Sequence, residues 1–173
     1  PTLGFSARKP SGWHYLTAEQ HQDNLKGLHF SDPRLKEVLA KHARVPFFAI
    51  TKFKEPHPDL NPSVRVNVRE AGNLKGVPAE KALQAIAAAF PRIFKDFAVA
   101  EGPVATKISG HPAAYLRMSY TLEAAGSSWR TASEMWLVPR GDAVFIIGAG
   151  TREDQKNGTL KEVRSIIDTI KIK

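Results

Sequence analysis

The chain has no cysteine in its 173 residues. This excludes a cysteine nucleophile, a thiolate zinc site, a cysteine-ligated iron–sulfur cluster and any disulfide. Long apolar runs are missing too. The longest, Ala82 to Phe90, falls well short of the about 18–20 residues a membrane-crossing helix needs. No segment repeats at a period of 20–50 residues or so, which excludes solenoids and propellers. Nucleophile and phosphate motifs are also lacking: there is no G-x-S-x-G, no H-E-x-x-H and no Walker loop. Gly148-Ala149-Gly150 has neither the third glycine nor the βαβ context of a dinucleotide fingerprint. We therefore expect no catalytic residue, no metal site and no cofactor, and a protein that is not an enzyme.

What is present is an ordinary globular composition: 42% apolar, 24% charged, with 12 glycines and 12 prolines. At this length a chain buries roughly two thirds of its unfolded surface, enough for one core without metal or disulfide staples. One domain is expected over residues 1–173. There are 25 Lys and Arg against 17 Asp and Glu, a net charge of +8, which attracts polyanions. The cations are scattered, however, and no basic run interleaved with aromatics suggests a nucleic-acid groove. The chain opens at Pro1 with no methionine. We expect that a leader was removed before it, placing the protein in the periplasm or outside the cell.

Period and punctuation predict the elements. Leu3 to Lys9 reads as a strand closed by Pro10, and Trp13–Leu16 as a second extended piece. Thr17-Ala18-Glu19-Gln20 has capping-box spacing and opens a helix. Asp32 and Pro33 start another, with Leu35, Val38 and Leu39 on one face. Val45–Lys54 reads as a strand. Three prolines within Glu55–Pro62 mark an exposed connection. Val64, Val66 and Val68 then alternate with Arg65, Asn67 and Arg69, the mark of a strand with one wet face. Leu83, Ile86, Ala87, Phe90, Phe94 and Phe97 predict a helix over 78–97, kinked or broken near Phe90 by Pro91. Four strands with short links follow, over 104–108, 113–122, 129–138 and 143–148, which makes an antiparallel meander. Thr159-Leu160-Lys161-Glu162 is a capping box for a final helix with Val163, Ile166, Ile167 and Ile170 on one face.

The order of these elements and their turns carries a resemblance. Pro10-Ser11-Gly12-Trp13 fits P-x-G-W after a first strand. Asp59-Leu60-Asn61-Pro62-Ser63-Val64 forms a proline and asparagine loop between strands, and Ser109-Gly110-His111-Pro112-Ala113 fits S-G-x-P-A. With the mid-chain helix, long hairpin and closing helix, the chain resembles the PsbP-like superfamily, which includes the Mog-type Ran-binding import factor and small exported bacterial proteins. The resemblance covers nearly the whole chain. It implies an α+β fold, an αβα sandwich around a central antiparallel sheet, used for binding or assembly and not for catalysis. No residue set here matches the Ran-binding surface of the Mog type or the photosystem- and metal-binding positions of PsbP, so no site is carried over. The segment Asp32–His42 departs from the shortest members.

Surface candidates remain. If the strands around Lys52 and Arg65 pair and alternate, then Lys52, Lys54, Arg65 and Arg69 project from one face as a patch for an anionic partner. Trp129, just past the Gly126-Ser127-Ser128 tip, is a candidate exposed anchor for a partner protein. Trp13 and Trp136 are expected in the core. Glu55-Pro56-His57-Pro58-Asp59 places two carboxylates and an imidazole close in sequence, but in an extended chain such groups converge poorly on an ion. The histidines 14, 21, 29 and 42 have no ligand spacing. The expected function is an exported, non-enzymatic binding or assembly module acting through a surface. The alternative is a small metal-dependent hydrolase or an anionic-ligand binder.

Overall fold

The computed structural model describes residues 4–29, 45–124 and 126–173. The segment predicted as a helix from Asp32 to His42 lies outside them. Among the described residues the elements run β1 (Phe5–Ser6), β2 (His14–Tyr15), α1 (Ala18–Gly27), β3 (Leu28–His29), β4 (Phe48–Thr51), β5 (Ser63–Glu70), α2 (Ala79–Ala87) and α3 (Phe90–Ile93). They continue with β6 (Lys95–Ile108), β7 (His111–Ala124), β8 (Ser127–Arg140), β9 (Ala143–Arg152), α4 (Leu160–Ile167) and β10 (Lys171–Ile172).

Among the described residues eight strands form one antiparallel sheet. Its order is β2-β4-β5-β9-β8-β7-β3, with β6 also paired to β7. Strands β6 to β9 are consecutive hairpins, as the short links between them predict. Because side chains alternate across a strand, each strand supplies both faces of the sheet. On one face Val64, Val66, Trp136, Val138, Phe145 and Ile147 meet Val163, Ile166 and Ile167 of α4. On the other, Ala114, Leu116, Met118, Leu137 and Val144 meet Ala82 and Leu83 of α2 and Phe90 of α3. Each large side chain buried this way stabilises the fold by about 1.5–3 kcal/mol. The result is an α+β, αβα sandwich around a central antiparallel sheet. Among the described residues no helix is long and apolar enough to cross a membrane.

Both capping boxes form. The Thr17 hydroxyl accepts from the Gln20 amide at 3.2 Å while Gln20 takes the Thr17 N–H at 3.0 Å. Thr159 and Glu162 make the same exchange at the start of α4, at 3.1 and 2.7 Å. The mid-chain helix is shorter than its apolar period suggests. Pro91, in the first turn of α3, has no N–H to bond the Ala87 carbonyl, so α2 ends at Ala87, and from Lys95 the chain is already strand. Phe94 and Phe97 therefore do not extend a helix; they pack on the α2–α3 core from the end of α3 and the start of β6. Shifts of register between Lys95 and Ala98, Val99 and Glu101, and Glu101 and Val104 bend this strand. Gly102 sits in the last shift with φ +83°, and a Cβ there would lie 2.3 Å from the Tyr115 carbonyl oxygen. At the C-terminus, β10 pairs with β1 and ties the two chain ends together.

Candidate functional site

The structure separates the four cations expected on one face. In the β4–β5 ladder Ala49 lies opposite Arg65 and Ile50 opposite Val64, so Arg65 and Arg69 point away from α4. Lys52 emerges on the α4 side, where its ammonium meets Glu162 at 2.7 Å and holds that carboxyl below its usual range. Lys54 is exposed beyond the end of β4. The strand stops at Thr51, three residues short of the Lys54 end expected from the sequence, and register sets Lys52, in step with Ile50, on the face opposite Arg65. Trp129 is half-buried across from Leu122 and is no free-standing anchor, whereas Trp13 and Trp136 are buried in the α4-side core.

The proline loop is also not a loose connection. Asn61 accepts from the Phe53 amide at 3.0 Å and donates to the Phe53 carbonyl at 2.8 Å and to Glu55 at 2.9 Å. Glu55 also takes the His57 amide at 2.9 Å, and the His57 ring stacks on Phe53 with centroids 4.5 Å apart. Asp59 is held by Arg152 at 2.9 and 3.0 Å, and Asn157 donates to the Leu60 carbonyl. Arg152 also grips Asp154, and this hydrogen bond lowers the Asp154 carboxyl to about 2. The side chains of Glu55, His57 and Asp59 thus point to separate partners. Among the described residues no three His, Asp or Glu converge on a metal position.

Two ionised groups lie where α4 crosses the sheet. Glu134 of β8 is fully buried; it accepts from the Tyr115 hydroxyl at 2.5 Å and from Arg164 Nε at 2.9 and 3.0 Å, and Arg164 Nη2 closes the fork. Burial first, then the carboxylate, push the Tyr115 hydroxyl up to about 12, and Glu134 raises the Arg164 guanidinium. This trio is fully paired among its own members and reads as a clasp between helix and sheet.

Two surfaces are left. The first is the sheet edge at β2 and β4. Strand β2 covers only Ile50 and Thr51 by register, with one further bond from Leu16 N–H to the Ala49 carbonyl at 3.0 Å. Among the described residues no strand lies beyond it alongside Phe48. Tyr15 is 63% exposed and Phe47 51%, with Val45 beside them. Tyr15 meets Phe48 edge-on at 6.2 Å, and Phe47 meets Phe5 edge-on at 5.6 Å. An open cleft of about 460 Å³ adjoins this edge, its walls including Val45, Phe47, Arg69 and Asp142. The second surface is the polar strip around Arg65 on the α1 side, where burial lowers the pKa of the guanidinium and, together with Arg65, that of His21. Composition did not reveal the exposed edge, because Val45–Lys54 reads as a strand and only long-range pairing places that strand near the edge of the sheet.

No family model matches the chain, and no curated protein sequence does. Solved structures do. LpqN, described as involved in cell envelope biogenesis of Mycobacterium tuberculosis, is 18% identical with a TM-score of 0.50, over 97% of this chain and 82% of that one. A protein from Bacteroides thetaiotaomicron is 15% identical with a TM-score of 0.51, over 98% of this chain and 45% of that one. The cyanobacterial PsbP (CyanoP) of Synechocystis is 10% identical with a TM-score of 0.47, over 100% and 95%. At these identities the likeness to LpqN and to the Bacteroides protein is one of fold. The Mog-type branch of the resemblance rests on sequence alone.

Proposed function

We propose that the protein is a non-enzymatic module, exported to the periplasm or beyond the cell, which binds an extended apolar segment of a partner protein along the β4 edge. The observation that carries this is the open edge itself: exposed Tyr15, Phe47 and Val45 stand beside a strand that β2 only half covers. Unpaired edges are templates for strand addition, in which backbone bonds give affinity and flanking pockets give specificity. The cleft beside Phe47, with Arg69 and Asp142 on its walls, offers such a pocket. The envelope role in the LpqN description supports export, and the turn motifs shared with small exported proteins of the PsbP-like type support it as well.

The test compares the wild-type chain with Tyr15→Glu/Phe47→Glu as bait in an envelope fraction. Any protein retained by the first and lost by the second is then purified and its binding measured directly. Lys107→Ala, exposed on β6 at the opposite side of the sheet, should retain it. A partner held equally by all three baits would overturn the edge reading, and a chain found in the cytoplasmic fraction would overturn export.

A further inference from the structure

Between the cover of α2–α3 and the edge at β4, the α1 side of the sheet changes from apolar to polar. Register fixes which residues meet there. Arg65 lies beside Gly148, Gly150 beside Ser133, and Thr131 beside Tyr120, with Thr51 next to Ser63 in the outer strands. Alternation puts Arg65, Gly148, Gly150, Ser133, Thr131 and Tyr120 on one face. The two glycines leave the floor of β9 bare. Among the described residues nothing comes within 4 Å of where a Cβ on Gly148 would stand, and its φ is not one that forbids a side chain.

Along this face buried polar atoms have no hydrogen-bond partner among the described residues. His21, 7% exposed, reaches the strip from α1, and Thr131 is 4% exposed. His21 Nδ1, Thr131 Oγ1 and Arg65 Nε are all buried and lack hydrogen-bond partners among the described residues. Arg65 makes no ion pair among the described residues. The carboxylate whose charge it feels, Glu55, is engaged by the His57 amide and Asn61. Three such groups on one face of the sheet carry a cost, since each unmade bond to a buried donor is unfavourable. Residues that weaken the empty fold are the ones function retains.

We propose that this strip is a binding site for an oxyanion, a carboxylate or phosphate carried by a small ligand. The Arg65 guanidinium takes the charge, Thr131 and His21 donate the flanking hydrogen bonds, and the bare β9 floor at Gly148 provides the room. The site does not depend on the β4 edge, and either can fail without the other.

Isothermal titration of the whole chain with inorganic phosphate and, separately, with hexanoate tests it. One of the two should bind with a dissociation constant of about 1 mM or tighter, and which one does identifies the source of the oxyanion. Arg65→Met should weaken that binding by about tenfold or more and should melt no lower than wild type, because it removes an unpaired guanidinium; a purely structural arginine would lower the melting temperature. Gly148→Val, whose side chain enters the open floor and suits a strand, should weaken binding comparably at unchanged melting temperature, and it carries the test if Arg65→Met does not fold. No heat with either anion up to about 10 mM, or equal binding by wild type and Gly148→Val, would overturn the proposal.

Discussion

Replacing Arg164 with leucine removes one arm of the clasp between α4 and the sheet and leaves the carboxylate of Glu134 behind. Glu134 is fully buried, while 44% of the Arg164 side chain is exposed. The loss therefore falls mainly on the buried partner. Breaking a buried pair from one side costs about 3–5 kcal/mol, because the surviving charge has lost both its counterion and its water. Here the Tyr115 hydroxyl still donates to Glu134, and water can enter from the open side of the helix, so the lower end applies, about 3 kcal/mol. For a domain of this size that corresponds to a fall in melting temperature of about 6–12 °C. The second arm of the experiment is Glu134→Met/Arg164→Leu. With both charges gone no buried ion is stranded, so the double variant should recover most of the loss. Urea unfolding followed by tryptophan fluorescence reads both, since Trp136 stands 5.2 Å from the Tyr115 ring. If Arg164→Leu costs less than about 1 kcal/mol, or if the double variant is no more stable than the single one, the clasp is a surface pair and the reasoning fails.

Two further outcomes follow from the same packing. Tyr115 is pushed up to about 12 from 10.0, so the folded chain keeps a proton that the unfolded chain gives up; this contribution to stability is complete below about pH 10 and disappears as pH rises to about 12. Tyr115→Phe should flatten that part of the stability curve, and an unchanged curve would refute the assignment. Gly102→Ala must relieve a 2.3 Å approach to the Tyr115 carbonyl at φ +83°, so a loss on the order of 2–3 kcal/mol is expected in denaturant unfolding, whereas Gly110→Ala, at φ +82° with nothing near, should lose less.

Much of the sheet was legible because its strands are long, alternate cleanly and are joined by short turns. Val64, Val66 and Val68 and the hairpins from Ala113 to Gly148 show this best. Both capping boxes were legible because they are local bonds. The helix over 78–97 was read too long because Phe94 and Phe97 continue its spacing of three and four, and a bulged strand can place the same residues against the same core. The four-cation face failed because long-range register, which spacing within a strand does not reveal, pairs Arg65 with Ala49, so that Lys52, in step with Ile50, lies on the opposite face. Strand β10 was missed because two residues carry no period; its partner β1 lies at the other end of the chain.

The sequence by itself determined the class of fold: alternation demands a two-sided sheet, the apolar faces of α2 and α4 demand something to cover, and zero cysteine leaves noncovalent contacts to hold them. Only the tertiary structure decided where chemistry could occur. Arg65, Gly148, Thr131 and His21 come from four elements, and their meeting depends on strand register and on where α1 lies. The openness of the β4 edge depends likewise on how little of it β2 covers. Local spacing sets what a segment becomes, whereas a site made of distant residues exists only once long-range pairing has chosen its neighbours.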